Sequence, residues 1–194
     1  MYVVFDTETN GLPKNYKAPP TDINNWPRVI QLAWLICDTD FNIIRKCCYL
    51  IKPDGWIIPK EKFWIDNGYS TEKSLAEGIP IIDALKELAS DLRIATHAVA
   101  HNMDFDYPII AAEMIRAGIK VGNSPKRICT MKASVKFCAI PSARGGYKWP
   151  TLTELHHKIY NRGFEGAHDA LNDVVACFLC LYQLKHYRVI NLME

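Results

Sequence analysis

The order in which hydrophobic periodicities succeed one another constrains this chain more than any single residue does. Three strand-like runs come first. YVVF, followed at once by polar residues and Gly11, predicts a buried strand over Tyr2 to Thr7. VIQLAWLIC predicts a second over Val29 to Cys37, and a third spans Asn42 to Lys52. The turn-rich Asp38-Thr39-Asp40-Phe41 between the last two predicts an antiparallel hairpin. Only then does the spacing become helical, with Ile81, Ile82, Leu85, Leu88 and Ala89 predicting a helix from Ile81 to Leu92. Strands at Ala95 to Ala100 and Arg127 to Thr130 alternate with helices at Tyr107 to Ala117, Thr151 to Ile159 and Ala170 to Tyr187. Three strands followed by alternation imply an α/β domain with a mixed five-stranded sheet, an antiparallel hairpin and flanking helices. No repeat or linker divides residues 1–194, so one domain is expected. Asn10 to Arg28 and Ile140 to Pro150 read as long irregular loops, a class of segment that is often functional.

Composition excludes several classes. Charged residues make up 23% of the chain and apolar ones 49%, the balance of a globular protein and not of a disordered or fibrous one. The start MYVVFDTETNG lacks a signal-peptide pattern and no run is long enough to span a bilayer, which leads us to expect a cytoplasmic protein without membrane attachment. Seven irregularly spaced cysteines fit reduced thiols. Cys177 and Cys180 lie inside the apolar run VVACFLCLYQL and read as buried helix residues, not metal ligands.

Charge is unevenly distributed. Met114 to Thr153 contains no acid, yet holds Arg116, Lys120, Lys126, Arg127, Lys132, Lys136, Arg144 and Lys148. That stretch carries +8 in a chain of net charge +2, leaving six net negative charges for the remainder. Such a segment fits either a solvated surface or a phosphate-binding one.

Asp6 and Glu8 stand two apart at the end of the first predicted strand, so both carboxylates can face one site. Two later segments, HNMDFD at His101 to Asp106 and HDALND at His168 to Asp173, accompany this DTETNG. The three resemble, in order, the motifs Asp-x-Glu, His-Asn-x-x-Phe-Asp and His-x-Ala-x-x-Asp of the DEDDh, DnaQ-like exonucleases. That branch of the RNase H-like superfamily includes the proofreading (epsilon) subunit of bacterial DNA polymerase III. The Gln in VIQLAW and the Pro-x-Leu of WPTLTELHHKIY extend the resemblance through most of the chain. A related branch carries Tyr four residues before the final Asp; Asp169 holds that place here, which fits the histidine branch.

The resemblance implies an RNase H-like fold and a metal-dependent 3′-to-5′ exonuclease. Asp6, Glu8, Asp106 and Asp173 become ligands of two divalent cations, Mg²⁺ or Mn²⁺, with Asp6 bridging both. Glu8 and Asp173 then serve the ion that activates water, and Asp106 the leaving-group ion. His168, beside the carboxylates in the turn before the last helix, becomes the general base, a role suited to a side chain that titrates near neutrality. Clustered carboxylates repel one another, and cations with oxygen ligands relieve that repulsion. His101 and Asn102 read as residues framing the strand-to-helix turn, and His156 and His157 as surface or core residues.

Thr7, Thr9, Asn10 and Gly11 follow the catalytic strand and are expected to receive the terminal nucleotide, with Leu12 wedged against its base. Phe105 is a candidate stacking residue. Arg144 and Lys148, near Tyr147 and Trp149, offer cations for phosphates. DNA 3′ ends are the expected substrate, with a DNA polymerase as a conceivable partner. The alternatives are an exoribonuclease or oligoribonuclease of the same family, and a non-catalytic binding module. The last helix ends close to Glu194, without the C-terminal extension by which replicative proofreading subunits dock, which weakens the polymerase-subunit expectation.

Overall fold

A computed structural model of the chain describes residues 1–120 and 125–192. Four residues of the basic stretch, 121–124, and the chain end at 193–194 lie outside the described residues. In chain order the elements are β1 (Tyr2–Thr9), β2 (Val29–Cys37), β3 (Ile43–Leu50), α1 (Lys62–Asp66), α2 (Thr71–Glu77), α3 (Ile81–Ile94) and β4 (His97–Ala100). They continue with α4 (Met103–Arg116), β5 (Lys126–Cys129), α5 (Thr130–Ala133), α6 (Val135–Cys138), α7 (Leu152–Tyr160) and α8 (Ala170–His186).

The five strands form one mixed sheet in the order β3-β2-β1-β4-β5. β1 to β3 pair antiparallel, whereas β4 and β5 run parallel to β1. The hairpin turn forms where its composition predicts: Asp38 Oδ1 accepts from the backbone N–H of Asp40 (2.9 Å) and of Asn42 (2.8 Å). Strand alternation then sorts the core into two layers. Val3 and Phe5 of β1 pack with Leu85 and Leu88 of α3 and Ile109 of α4. Tyr2 and Val4 face the other way, onto Val174, Cys177 and Leu181 of α8. Cys177 and Cys180 are indeed buried helix residues. Trp34 is fully buried and its indole N–H donates to Asp91 Oδ2 (2.7 Å), which Arg45 also holds at 2.7 Å. Truncating so large a core side chain costs about 3–5 kcal/mol.

Two boundaries differ from expectation in ways that matter. β1 extends to Thr9, so Glu8 lies within the strand, paired with Gln31. α4 begins at Met103 and not at Tyr107, because Asn102 takes the left-handed conformation (φ 83°) and turns the chain out of β4 immediately. Asp106 therefore sits in the first turn of α4. α1, α2, α5 and α6 are also additional to the predicted set. α1 is five residues long and buries no side chain, so it carries no apolar period that a sequence could show. Among the described residues no helix is long and apolar enough to cross a membrane.

Candidate active site

The C-terminal end of β1 is where both layers can deliver acids. Asp6 and Glu8 lie on the α8 face of the strand, in alternation with Thr7 and Thr9. Asp173 reaches them from the first turn of α8, whose N-cap is Asp169, accepting from the N–H of Asn172 (3.1 Å). Asp106 arrives from the opposite layer through the first turn of α4. Thr7 holds it there, donating from its backbone N–H (3.1 Å) and its hydroxyl (2.8 Å) to Asp106 Oδ1.

The outcome is an electrostatic cluster that water solvates poorly. Burial, then the charges of Asp106, Asp173 and Glu8, pushes the Asp6 carboxyl well above the usual range. Burial also raises Asp106, although the two Thr7 bonds oppose it. Burial and the charges of Asp173 and Asp106 push Glu8 up to about 8. Asp173 rises to about 6 by burial, against the stabilising bond from the His168 backbone N–H (3.2 Å). Among the described residues no Lys or Arg forms an ion pair with any of the four. Such an arrangement suits hard cations with oxygen ligands, which would supply the missing positive charge.

Ligand atoms of Glu8, His168 and Asp173 all lie within 4.8 Å of one another, so His168 stands among the acids and not merely beside them. Its backbone is left-handed (φ 70°), and its ring meets Phe63 edge-on at 5.2 Å between centroids.

The acids open into a cleft of about 730 Å³, within the usual size range of ligand sites. Its walls include Thr7, Thr9, Gly11, Leu12, Phe105, Asp106, His168 and Asp173, all singled out by sequence. Leu12 is 72% exposed and free to meet a base. Phe105 also packs near Tyr16, at 6.5 Å. The remaining sequence candidates take different places. Thr7 is buried and committed to Asp106, and the Thr9 hydroxyl donates to the Gly11 carbonyl (2.7 Å). Asn10 accepts from the Arg28 N–H (2.8 Å) and donates to the Ile57 carbonyl (3.3 Å), which ties the long loop down and leaves it outside the cleft wall. Lys148 pairs with Glu154 at 2.5 Å, while Arg144 sits on an exposed loop; neither lines the cleft.

Sequence reasoning missed Phe63 and Trp64, which also line the cleft, with the Trp64 indole donating to the Thr9 carbonyl (3.0 Å). His101 does frame the turn. Its Nε2–H donates to the Pro150 carbonyl and its Nδ1 faces the Thr130 hydroxyl, both at 3.0 Å, and burial lowers its pKa to about 4. A neutral ring with one donor and one acceptor satisfies both partners.

Comparison with known proteins agrees with this architecture. Two solved structures of E. coli Exonuclease I, in complex with a dT13 and a dA16 oligonucleotide, superpose with TM-scores of 0.75 and 0.74 at 19% identity. They match 95% and 97% of this chain, but the chain spans only about 40% of the length of those proteins. The shared architecture is the RNase H-like exonuclease fold. No curated protein matches the sequence significantly. The exonuclease family model of the RNase T type matches residues 3–180, and the protein belongs to that family of nucleases.

Proposed function

We propose that the protein is a 3′-to-5′ exonuclease that removes nucleotides from DNA 3′ ends. One observation carries the reading. Four carboxylates from β1, α4 and α8 converge on one open cleft, with raised pKa values and no cationic partner among the described residues. Asp6, Glu8, Asp106 and Asp173 would hold two divalent cations, Mg²⁺ or Mn²⁺. When bound, these supply the positive charge that neutralises the acids and polarises the phosphodiester.

The chain's own residues do the rest. His168 accepts the proton of the attacking water, a role supported by the closeness of its ring to Glu8 and Asp173, whose ligand atoms lie within 4.8 Å of its own. Thr7 fixes Asp106 in one rotamer through two bonds, so that this acid is placed before substrate arrives. Leu12, Phe63 and Phe105 offer apolar faces to the terminal base, and the cleft's open side admits the strand. DNA is the preferred substrate in this reading because two of the structures similar to this fold were solved with dT13 and dA16.

RNA 3′ ends are the second reading, favoured by the family's own name and by a chemistry that does not use the 2′-hydroxyl. Matched DNA and RNA oligonucleotides of one sequence, digested side by side in Mg²⁺ and in Mn²⁺, separate the two. Faster release from DNA supports the proposal, and faster release from RNA replaces it with the second reading.

A further inference from the structure

The segment between β3 and α3 does more than wall the cleft. His168 holds a left-handed backbone conformation, which a residue with a side chain keeps only when its surroundings over-determine it. Its carbonyl accepts from the Tyr69 phenol at 2.9 Å. The same phenol lies 2.6 Å from Gln31 Oε1, which also accepts from the Ala170 N–H at 2.9 Å. Gln31 Nε2 donates to Asp169 Oδ2 at 3.1 Å. A backbone N–H at one end and a carboxylate at the other allow the amide only one orientation. His168, Asp169 and Ala170 are thus held in succession by two side chains from outside their own element.

Neither Gln31 nor Tyr69 forms a hydrogen bond with Asp6, Glu8, Asp106 or Asp173 among the described residues. Gln31 is nevertheless the cross-strand partner of Glu8, so the clamp is anchored to the strand that carries the acids. Tyr69 follows Phe63 and Trp64, which wall the cleft, so one segment both meets the substrate and grips the base's backbone.

We propose that Gln31 and Tyr69 are positioning residues that fix His168 over the reacting phosphodiester by clamping its main chain. The inference rests on the reading of His168 as general base. Tyr69→Phe removes the phenolic proton that the two acceptors share while keeping the ring. Turnover is expected to fall about 10-fold, the scale of a lost supporting bond, with KM and Tm little changed. A purely structural tyrosine would instead lower Tm and the folded fraction, leaving turnover per folded molecule intact.

The deciding experiment is a double-mutant cycle on single-turnover rates at saturating Mg²⁺, with Tyr69→Phe, His168→Ala and both together. If Tyr69 acts through His168, its substitution slows the wild type but has no further effect in the His168→Ala background. An equal loss in both backgrounds, or no loss in either, overturns the clamp. Near-normal turnover of His168→Ala alone would overturn the base reading, and that variant reports it independently of Tyr69. Gln31→Ala tests the same clamp from β2 and is expected to show the same dependence on His168, even if Tyr69→Phe fails to fold.

Discussion

The acidic end of β1 and the basic stretch before α7 hold opposite charges and opposite degrees of internal compensation. In the first, Asp6, Glu8, Asp106 and Asp173 crowd together with raised pKa values and no cationic partner among the described residues. In the second, Lys132 bonds Asp104 and Lys148 bonds Glu154, and Arg127 stacks 4.3 Å over the Tyr107 ring. A run of like charge in sequence is therefore a weak sign of function when acids elsewhere can fold back onto it. A cluster that stays uncompensated in the fold is a strong one.

Breaking the first region should have the largest effect. Asp6→Asn or Asp173→Asn is expected to abolish nuclease turnover while the fold survives, and in chelator each variant should melt above the wild type because a buried repulsion is gone. Circular dichroism melts beside a gel assay check both halves; an unfolded variant would mark these acids as structural. His168→Ala should reduce the single-turnover rate at saturating Mg²⁺ by roughly 10²–10⁴-fold, the usual scale of a general base; a near-normal rate would remove His168 from the chemistry.

The acids also predict a pH dependence of the cation-free protein. Their folded pKa values lie above those of an unfolded chain, so the folded state binds more protons between the two. The stability they confer when protonated is complete below about pH 4 and is lost as pH rises through the folded values, about 6 for Asp173 and about 8 for Glu8. In chelator, Tm should thus fall between pH 5 and about 8, and saturating Mg²⁺ should reverse the trend. A flat profile in chelator would mean that the acids are already compensated within the protein.

The second region should respond least. Lys148 is engaged with Glu154, so neutralising Arg144 and Lys148 together should remove one effective phosphate contact and not two. The slope of log K against log salt should then fall by about 0.7 for a single strand, half the change two free cations would give. Anisotropy in Ca²⁺, used to suppress cleavage, measures it. A change near 1.4 would show that Lys148 leaves Glu154 for the strand.

Asp6 and Glu8 were legible because a strand repeats every two residues, and Asp106 and Asp173 because their motifs resemble a known family's. The hairpin and the α8 cysteines followed from local composition. Phe63 and Tyr69 were not legible, since they lie in a segment of short helices with no hydrophobic period, and only the tertiary fold brings them to His168. Gln31 stood out only as the Gln of VIQLAW that extends the family resemblance; its contacts with Asp169 and Ala170 span 138 and 139 residues of sequence. The pairing of Lys148 had a readable signal in the capping box Thr151-Leu152-Thr153-Glu154, which fixes a carboxylate at the start of α7.

The most direct test of the uncompensated acidic cluster as a cation-dependent 3′-end nuclease centre is a time course on one 5′-labelled DNA oligonucleotide, run with Mg²⁺ and with excess chelator. The expected result is a ladder that shortens stepwise from the 3′ end in Mg²⁺ and no product in chelator. Undiminished cleavage in chelator, or immediate release of a labelled mononucleotide from the 5′ end, would contradict it.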